Sequence, residues 1–169
     1  EVQPSRAYAS DIPQSWLPAT NSAFGSRVVD QAQPLWREFF LERVVAPLWG
    51  RGYRGFFLDT LDSYHLIATT DAARAAQEAG MIALVRELRR RFPGAKLIFN
   101  RGFEILPQVH GEAIAVAAES LFQRYDHGAK AYREVPAADR AWLIAQLNRV
   151  TDEYRLPVLA IDYVAPDNR

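Results

Sequence analysis

The sequence predicts an α/β protein built on parallel strands, and more narrowly an incomplete middle portion of a (β/α)8 TIM-type barrel. Three observations carry that expectation. Short apolar runs alternate with helix-length segments. Four of those runs stop abruptly at one polar side chain, at Asp59, Asn100, Glu119 and Asp162. The 169 residues also fall short of the roughly 200–250 that a whole eight-stranded barrel needs. An apolar run without alternation is what a parallel strand looks like when helices cover it. Ligands of such proteins bind at the carboxyl ends of the strands, so the four polar residues are expected on one rim.

Residues 1–24 carry Pro4, Pro13 and Pro18 among polar and aromatic side chains and read as a long loop. Residues 26–30 are a short strand candidate ending on Asp30. Pro34 sits where a first helical residue tolerates proline. Leu35, Trp36, Phe39, Phe40, Val44 and Leu48 recur at helical spacing, which predicts a helix over 33–49, bent or ended at Pro47. The Gly50, Gly52 and Gly55 spacing matches a dinucleotide fingerprint but follows a helix and opens a strand, the reverse of the required context. It therefore only turns the chain. The run Gly55-Phe56-Phe57-Leu58 ends at Asp59. A helix is predicted over 70–92, capped by Thr70 or Asp71, with Arg89, Arg90 and Arg91 in its last turn, where cations suit the helix dipole. Pro93-Gly94 ends it. Strands over 96–100 and 113–119 follow, separated by a short helical turn near 106–109. A loop of about 17 residues comes next. Pro136-Ala137-Ala138-Asp139 opens a helix running to about Tyr154, with Trp142, Leu143, Leu147 and Val150 on its buried face, and the last strand covers 158–163. Both ends look cut: no strand precedes Glu1-Val2, and only a rim loop follows Tyr163. The expectation is one barrel domain over 1–169, lacking about two strands at the front and one at the back. The rival is a complete five-stranded open sheet of flavodoxin-like size, for which no phosphate loop is visible.

Composition removes several function classes. Lysine plus arginine equals aspartate plus glutamate, 20 against 20, so no overall field draws the chain to nucleic acid or an anionic membrane. No apolar run approaches the roughly 20 residues of a membrane span. The lack of cysteine rules out disulfides, thiolate metal sites and a thiol nucleophile. His65, His110 and His127 are isolated, so no metal is expected. There is no G-x-S-x-G elbow, and Ser63 and Ser120 have no evident histidine partner.

Paired carboxylates remain. Asp59 and Glu119 end two strands with one strand between them. Adjacent strands lie about 4.8 Å apart, so the Cα atoms are expected roughly 10 Å apart and the inward-leaning carboxyl groups about 5–6 Å apart. That is the spacing of a retaining glycosidase. Asp59, among polar donors, suits the ionised nucleophile. Glu119, flanked by Val116, Ala117 and Ala118, suits the proton donor. Tyr8, Trp16, Tyr64, Phe103, Tyr125 and Tyr163 fall in loops near strand ends, where sugar rings stack.

The stretch Gly55-Phe56-Phe57-Leu58-Asp59-Thr60-Leu61-Asp62-Ser63-Tyr64 resembles glycoside hydrolase family 114. The resemblance continues through Phe99-Asn100-Arg101-Gly102, Ala118-Glu119-Ser120-Leu121-Phe122 and Leu159-Ala160-Ile161-Asp162-Tyr163. Glu1-Val2 with Arg6 and Tyr8 resembles the end of that family's second barrel strand. The resemblance implies an endo-α-1,4-polygalactosaminidase without cofactor or metal, with Asp59 as nucleophile and Glu119 as acid/base. It implies a partly cationic amino-sugar polysaccharide as substrate, suited to a rim with Asp59, Asp62, Glu119, Asp126 and Asp162. Substrate contacts are expected from Glu1, Tyr8, Asp62, Tyr64, Asn100, Arg101, Tyr125, Asp162 and Tyr163. A periplasmic or secreted location and an association with polysaccharide-export machinery follow in the same way. The alternative is a catalytically silent polysaccharide-binding domain of an exopolysaccharide biosynthesis protein.

Overall fold

A computed structural model of the chain describes residues 1–166. Two short 3-10 turns, Ala9–Asp11 and Gln14–Trp16, precede strand β1 (Ala19–Asn21), which pairs antiparallel with β2 (Ser26–Val28). Val2 makes an isolated antiparallel bridge to Arg27. The first 24 residues are thus less irregular than proline spacing suggests, and residues 26–30 are not a barrel strand. The reason is local: Val29 is buried with Val2, Ile12, Leu17 and Trp36 in a small separate cluster, and Asp30 accepts a 2.6 Å hydrogen bond from Gln77 Nε2. The β1–β2 pair is a separate two-stranded sheet, outside the parallel one.

Helix α1 (Pro34–Phe40) runs through a π turn, Leu41–Val45, into α2 (Ala46–Gly50). This is the predicted single rod with Pro47 inside it. A proline has no N–H to donate, and its ring crowds the carbonyl four residues back. A wide π turn just before Pro47 is a known way for a helix to continue past such a defect. Gly52, at φ +96°, then turns the chain into strand β3 (Gly55–Leu58).

Helix α3 (Asp71–Arg91) is capped by Thr70, whose Oγ1 accepts from the Ala73 N–H at 3.1 Å. Next come β4 (Lys96–Asn100), α4 (Leu106–Val109) and β5 (Ala113–Glu119). The 17-residue loop is in fact a hairpin, β6 (Gln123–Asp126) against β7 (Ala131–Glu134). Tyr125 stands directly opposite Tyr132, their rings 5.1 Å apart, and Asp126 closes the turn by accepting from the Ala129 N–H at 2.9 Å. That backbone donor holds the Asp126 carboxyl below its usual pKa range. Helix α5 (Ala137–Tyr154) and strand β8 (Val158–Ile161) finish the order. Leu143, Leu147 and Val150 are buried as expected, but Trp142 is 49% exposed.

The sheet is parallel with strands in the order β3-β4-β5-β8. Each crossover moves one strand in the same direction, as in an arc of a barrel. An open doubly wound sheet would reverse direction at a switch point, so the flavodoxin-like rival is excluded. Register pairs Leu58 with Phe99, Asn100 with Ala117 and Glu119 with Ile161. The main core lies between sheet and helices, with Leu58, Leu97, Phe99 and Val116 facing Ile82, Val85, Leu88 and Leu147.

Two features of α3 lead to predictions. Gly80 lies against the backbone of Gln31, so a Cβ there would overlap the Gln31 carbonyl. Alanine gains about 1 kcal/mol of helix propensity, but overpacking against backbone costs about 1–3 kcal/mol. Gly80→Ala is expected to lower stability by about 1 kcal/mol in urea unfolding. Glu87 accepts from Arg90 and Arg91 at 2.6–2.7 Å, which lowers its pKa from 4.5 to about 2. A depressed carboxyl stabilises the fold above its unfolded pKa and loses that contribution as pH falls through the folded value. Unfolding measured between about pH 4.5 and 2 should show a stability decline that is shallower in Glu87→Gln.

Candidate active site

Strand β3 ends at Leu58, so Asp59 is the first residue past the sheet. Thr60, at φ +55°, folds the chain back, and its N–H donates to Asp59 Oδ1 at 2.7 Å. The parallel register sets Asn100, the last residue of β4, beside it. Asn100 Nδ2 donates to the same Oδ1 at 2.7 Å. One carboxylate oxygen is thereby fixed by two donors, and Oδ2 takes part in neither bond. Asn100 is only 8% exposed, and its buried Oδ1 has no hydrogen-bond partner among the described residues.

Arg101 and Gly102 follow at φ +59° and +67°. The Arg101 N–H donates to Ala117 O at 2.8 Å. Its guanidinium donates from Nε to the Glu119 backbone carbonyl at 3.1 Å, with Nη2 on the same oxygen, and Nη1 lies 3.9 Å from Asp62. Arg101 thus ties the end of β5 to the loop after β3. Glu119 is the last residue of β5, followed by a cis peptide bond to Ser120. Tyr163 lines the cleft with Glu119. Desolvation of the phenol first, and the neighbouring Glu119 carboxylate second, raise its pKa.

Asp59 and Glu119 line one cleft of about 900 Å³, with Glu1, Tyr8, Asp62, Asn100, Arg101 and Tyr163. The Glu1 carboxylate is held by Asn21 Nδ2 at 2.9 Å and by Ser26 Oγ. Tyr8 stands edge-on to Phe39. A second cleft of about 900 Å³ lies between the β6–β7 hairpin and α5 and contains Tyr125, Tyr132 and Trp142. Phe24, Arg101, Glu119 and Tyr163 line both. Phe24 comes from the turn after β1 and meets His127 of the β6–β7 turn edge-to-face, centroids 5.5 Å apart. Among the described residues, no group of histidine, aspartate and glutamate is arranged to hold a metal ion.

Two expected substrate contacts are corrected. Tyr64 is 1% exposed and turns inward, its hydroxyl donating to Glu78 on α3 at 2.9 Å. Burial and that bond push its pKa above the usual range. Asp162 Oδ1 accepts three consecutive backbone N–H groups, from Leu121, Phe122 and Gln123, at 2.7, 2.8 and 3.0 Å. It is a staple for the loop leaving β5. The second cleft supplies what sequence reading missed: Phe24, Arg124, His127, Tyr132, Asp139 and Trp142. The available signal was the alternation in Gln123-Arg124-Tyr125-Asp126 and Ala131-Tyr132-Arg133-Glu134, which fits a hairpin.

A barrel arc carrying two carboxylates at the carboxyl ends of nearby parallel strands defines a glycoside-hydrolase type of site. The chain belongs to glycoside-hydrolase family GH114, whose family model matches residues 1–169. It is similar to the glycoside hydrolase domain of PelA from Pseudomonas aeruginosa, with 42% sequence identity and a TM-score of 0.84, over 95% of this chain and 62% of that one. A variant of the same domain with one glutamate replaced by alanine matches at 41% identity, the same TM-score and the same coverage. The chain thus spans less than two thirds of these solved structures. No curated protein matched.

Replacing Asp162 leaves three backbone donors without their acceptor. Hydrogen bonds to a charged group contribute about 1.5–3 kcal/mol each, and not additively. Asp162→Ala is expected to cost about 2–4 kcal/mol in denaturant unfolding, and Asp162→Asn, which keeps an oxygen acceptor, less.

Proposed function

We propose that the domain hydrolyses internal α-1,4 bonds of a galactosamine and N-acetylgalactosamine exopolysaccharide with retention of configuration, and without a cofactor. The observation that carries this reading is the single cleft shared by Asp59 and Glu119, each on the end of its own strand. Membership of GH114 and similarity to the PelA glycoside hydrolase domain support it.

In the first step an Asp59 oxygen attacks the anomeric carbon while the glycosidic C–O bond breaks. The departing oxygen takes the proton of the Glu119 carboxylic acid. In the second step water attacks the same carbon, gives its proton to the Glu119 carboxylate, and releases Asp59. Two inversions at one carbon leave the configuration unchanged. Asn100 and the Thr60 N–H keep the Asp59 carboxylate from rotating away, so its reacting geometry is set before substrate arrives. Tyr163 lies in the same cleft as Glu119. Arg101, spent on the Glu119 carbonyl and near Asp62, is a positioning residue. An ammonium-bearing sugar would meet Asp59, Asp62 and Glu119 in this cleft, and complementary charge favours that encounter. The reading places the domain in the periplasm or outside the cell, beside polysaccharide-export machinery. Among the described residues no helix is long and apolar enough to cross a membrane.

The test is release of oligosaccharides from a purified α-1,4-galactosamine polymer. Asp59→Ala and Glu119→Ala should each lower the rate by at least about 100-fold, the lower end of what positioned acid–base groups supply. Proton NMR of the first product should show the α anomer. Release that survives both changes, or a β product, overturns the mechanism. Tight binding with no release by the unaltered domain identifies a silent binding module instead.

A further inference from the structure

We infer that the second cleft, between the β6–β7 hairpin and α5, receives the leaving-group end of the sugar chain, with Trp142 and Tyr132 as its stacking platforms. This rests on the two-carboxylate reading and adds a direction to it. The first cleft contains Asp59 and Glu119, whereas the second contains Glu119 but not Asp59. In the retaining reaction the sugar that becomes covalently attached lies over the nucleophile, and the oxygen that departs lies at the acid. A chain continuing past Glu119 on the side away from Asp59 therefore carries the departing end.

The walls of that cleft suit a carbohydrate. Trp142 is 49% and Tyr132 42% exposed, and each is held in place by one neighbour. Trp142 lies edge-to-face with Phe103, centroids 5.9 Å apart, and Tyr132 packs on Tyr125 across the hairpin. Large aromatic surface left facing a groove beside a reactive carboxylate gains by covering itself with the C–H face of a sugar ring. An ammonium group over such a ring adds a cation–π attraction. The volume of about 900 Å³ lies within the range of sites that enclose small ligands, roughly 300–1,000 Å³. Continuity with the first cleft through Arg101, Glu119 and Tyr163 makes one groove with the scissile bond at the junction.

The experiment compares two substrates. A galactosamine polymer fills both clefts, whereas a galactosamine oligosaccharide with an aryl leaving group places sugars only on the Asp59 side. Trp142→Ala and Tyr132→Ala should each lower kcat/KM on the polymer by about tenfold and leave the aryl substrate within about twofold. Trp142→Phe should recover most of the loss. Equal losses on both substrates, no loss on either, or a loss confined to the aryl substrate overturns the inference. If Trp142→Ala does not fold, Tyr132→Ala, on an exposed hairpin position, decides alone. Asp59→Ala is run alongside. Its full activity would sink the two-carboxylate reading itself, whereas an inactive Asp59→Ala beside unaffected aromatic variants would sink only the assignment of the second cleft.

Discussion

The register of the parallel strands β3, β4 and β5 at their carboxyl ends, beyond a one-residue shift between Leu97 and Ile98, is the constraint on which the remainder depends. Because Leu58 aligns with Phe99, the next residue on each strand places Asp59 beside Asn100. Because Asn100 aligns with Ala117, Glu119 projects two residues further along the neighbouring strand. A one-residue slip between any pair would turn the side chains to the opposite face and separate the acids. The core under these strands, with Leu97, Phe99 and Val116 fully buried, is what enforces the alignment. Hydrophobic packing thus determines the electrostatics of the rim.

Carboxylates of one chemical type meet different fates at this rim according to how many backbone donors they face. Asp162 spends one oxygen on three N–H groups and holds a loop. Asp126 closes a hairpin turn. Asp59 has two donors, one of them a buried side chain whose position is fixed by the neighbouring strand. Glu119 shares the cleft with Tyr163. The aspartate that collects three main-chain donors holds a loop, and the two acids that line the cleft collect fewer.

The strands, the helices and the two strand-end acids that share a cleft were legible because they rest on short-range signals: apolar runs, helical spacing, and a polar residue where each run stops. The Thr70 cap and the order of the sheet followed from the same signals. What could not be read depended on side-chain direction or on pairing between distant segments. Tyr64 sits among rim residues in sequence, yet one turn of 3-10 helix rotates it into the core beside Glu78. Trp142 has the spacing of a buried residue but lies at the margin of the helix face, where the hairpin leaves it uncovered. The hairpin itself was hidden because its strands are only four residues each and largely polar.

The contact between Phe24 and His127 joins two hairpins that arise on either side of three parallel strands in the chain. No covalent link spans the gap at that point. An edge-to-face aromatic pair is worth about 0.5–1.5 kcal/mol, so the contact couples the two hairpins only weakly. Each hairpin keeps its own backbone pairing whether or not the two rings touch, so the wall they share beside Glu119 is assembled from two independently folded pieces.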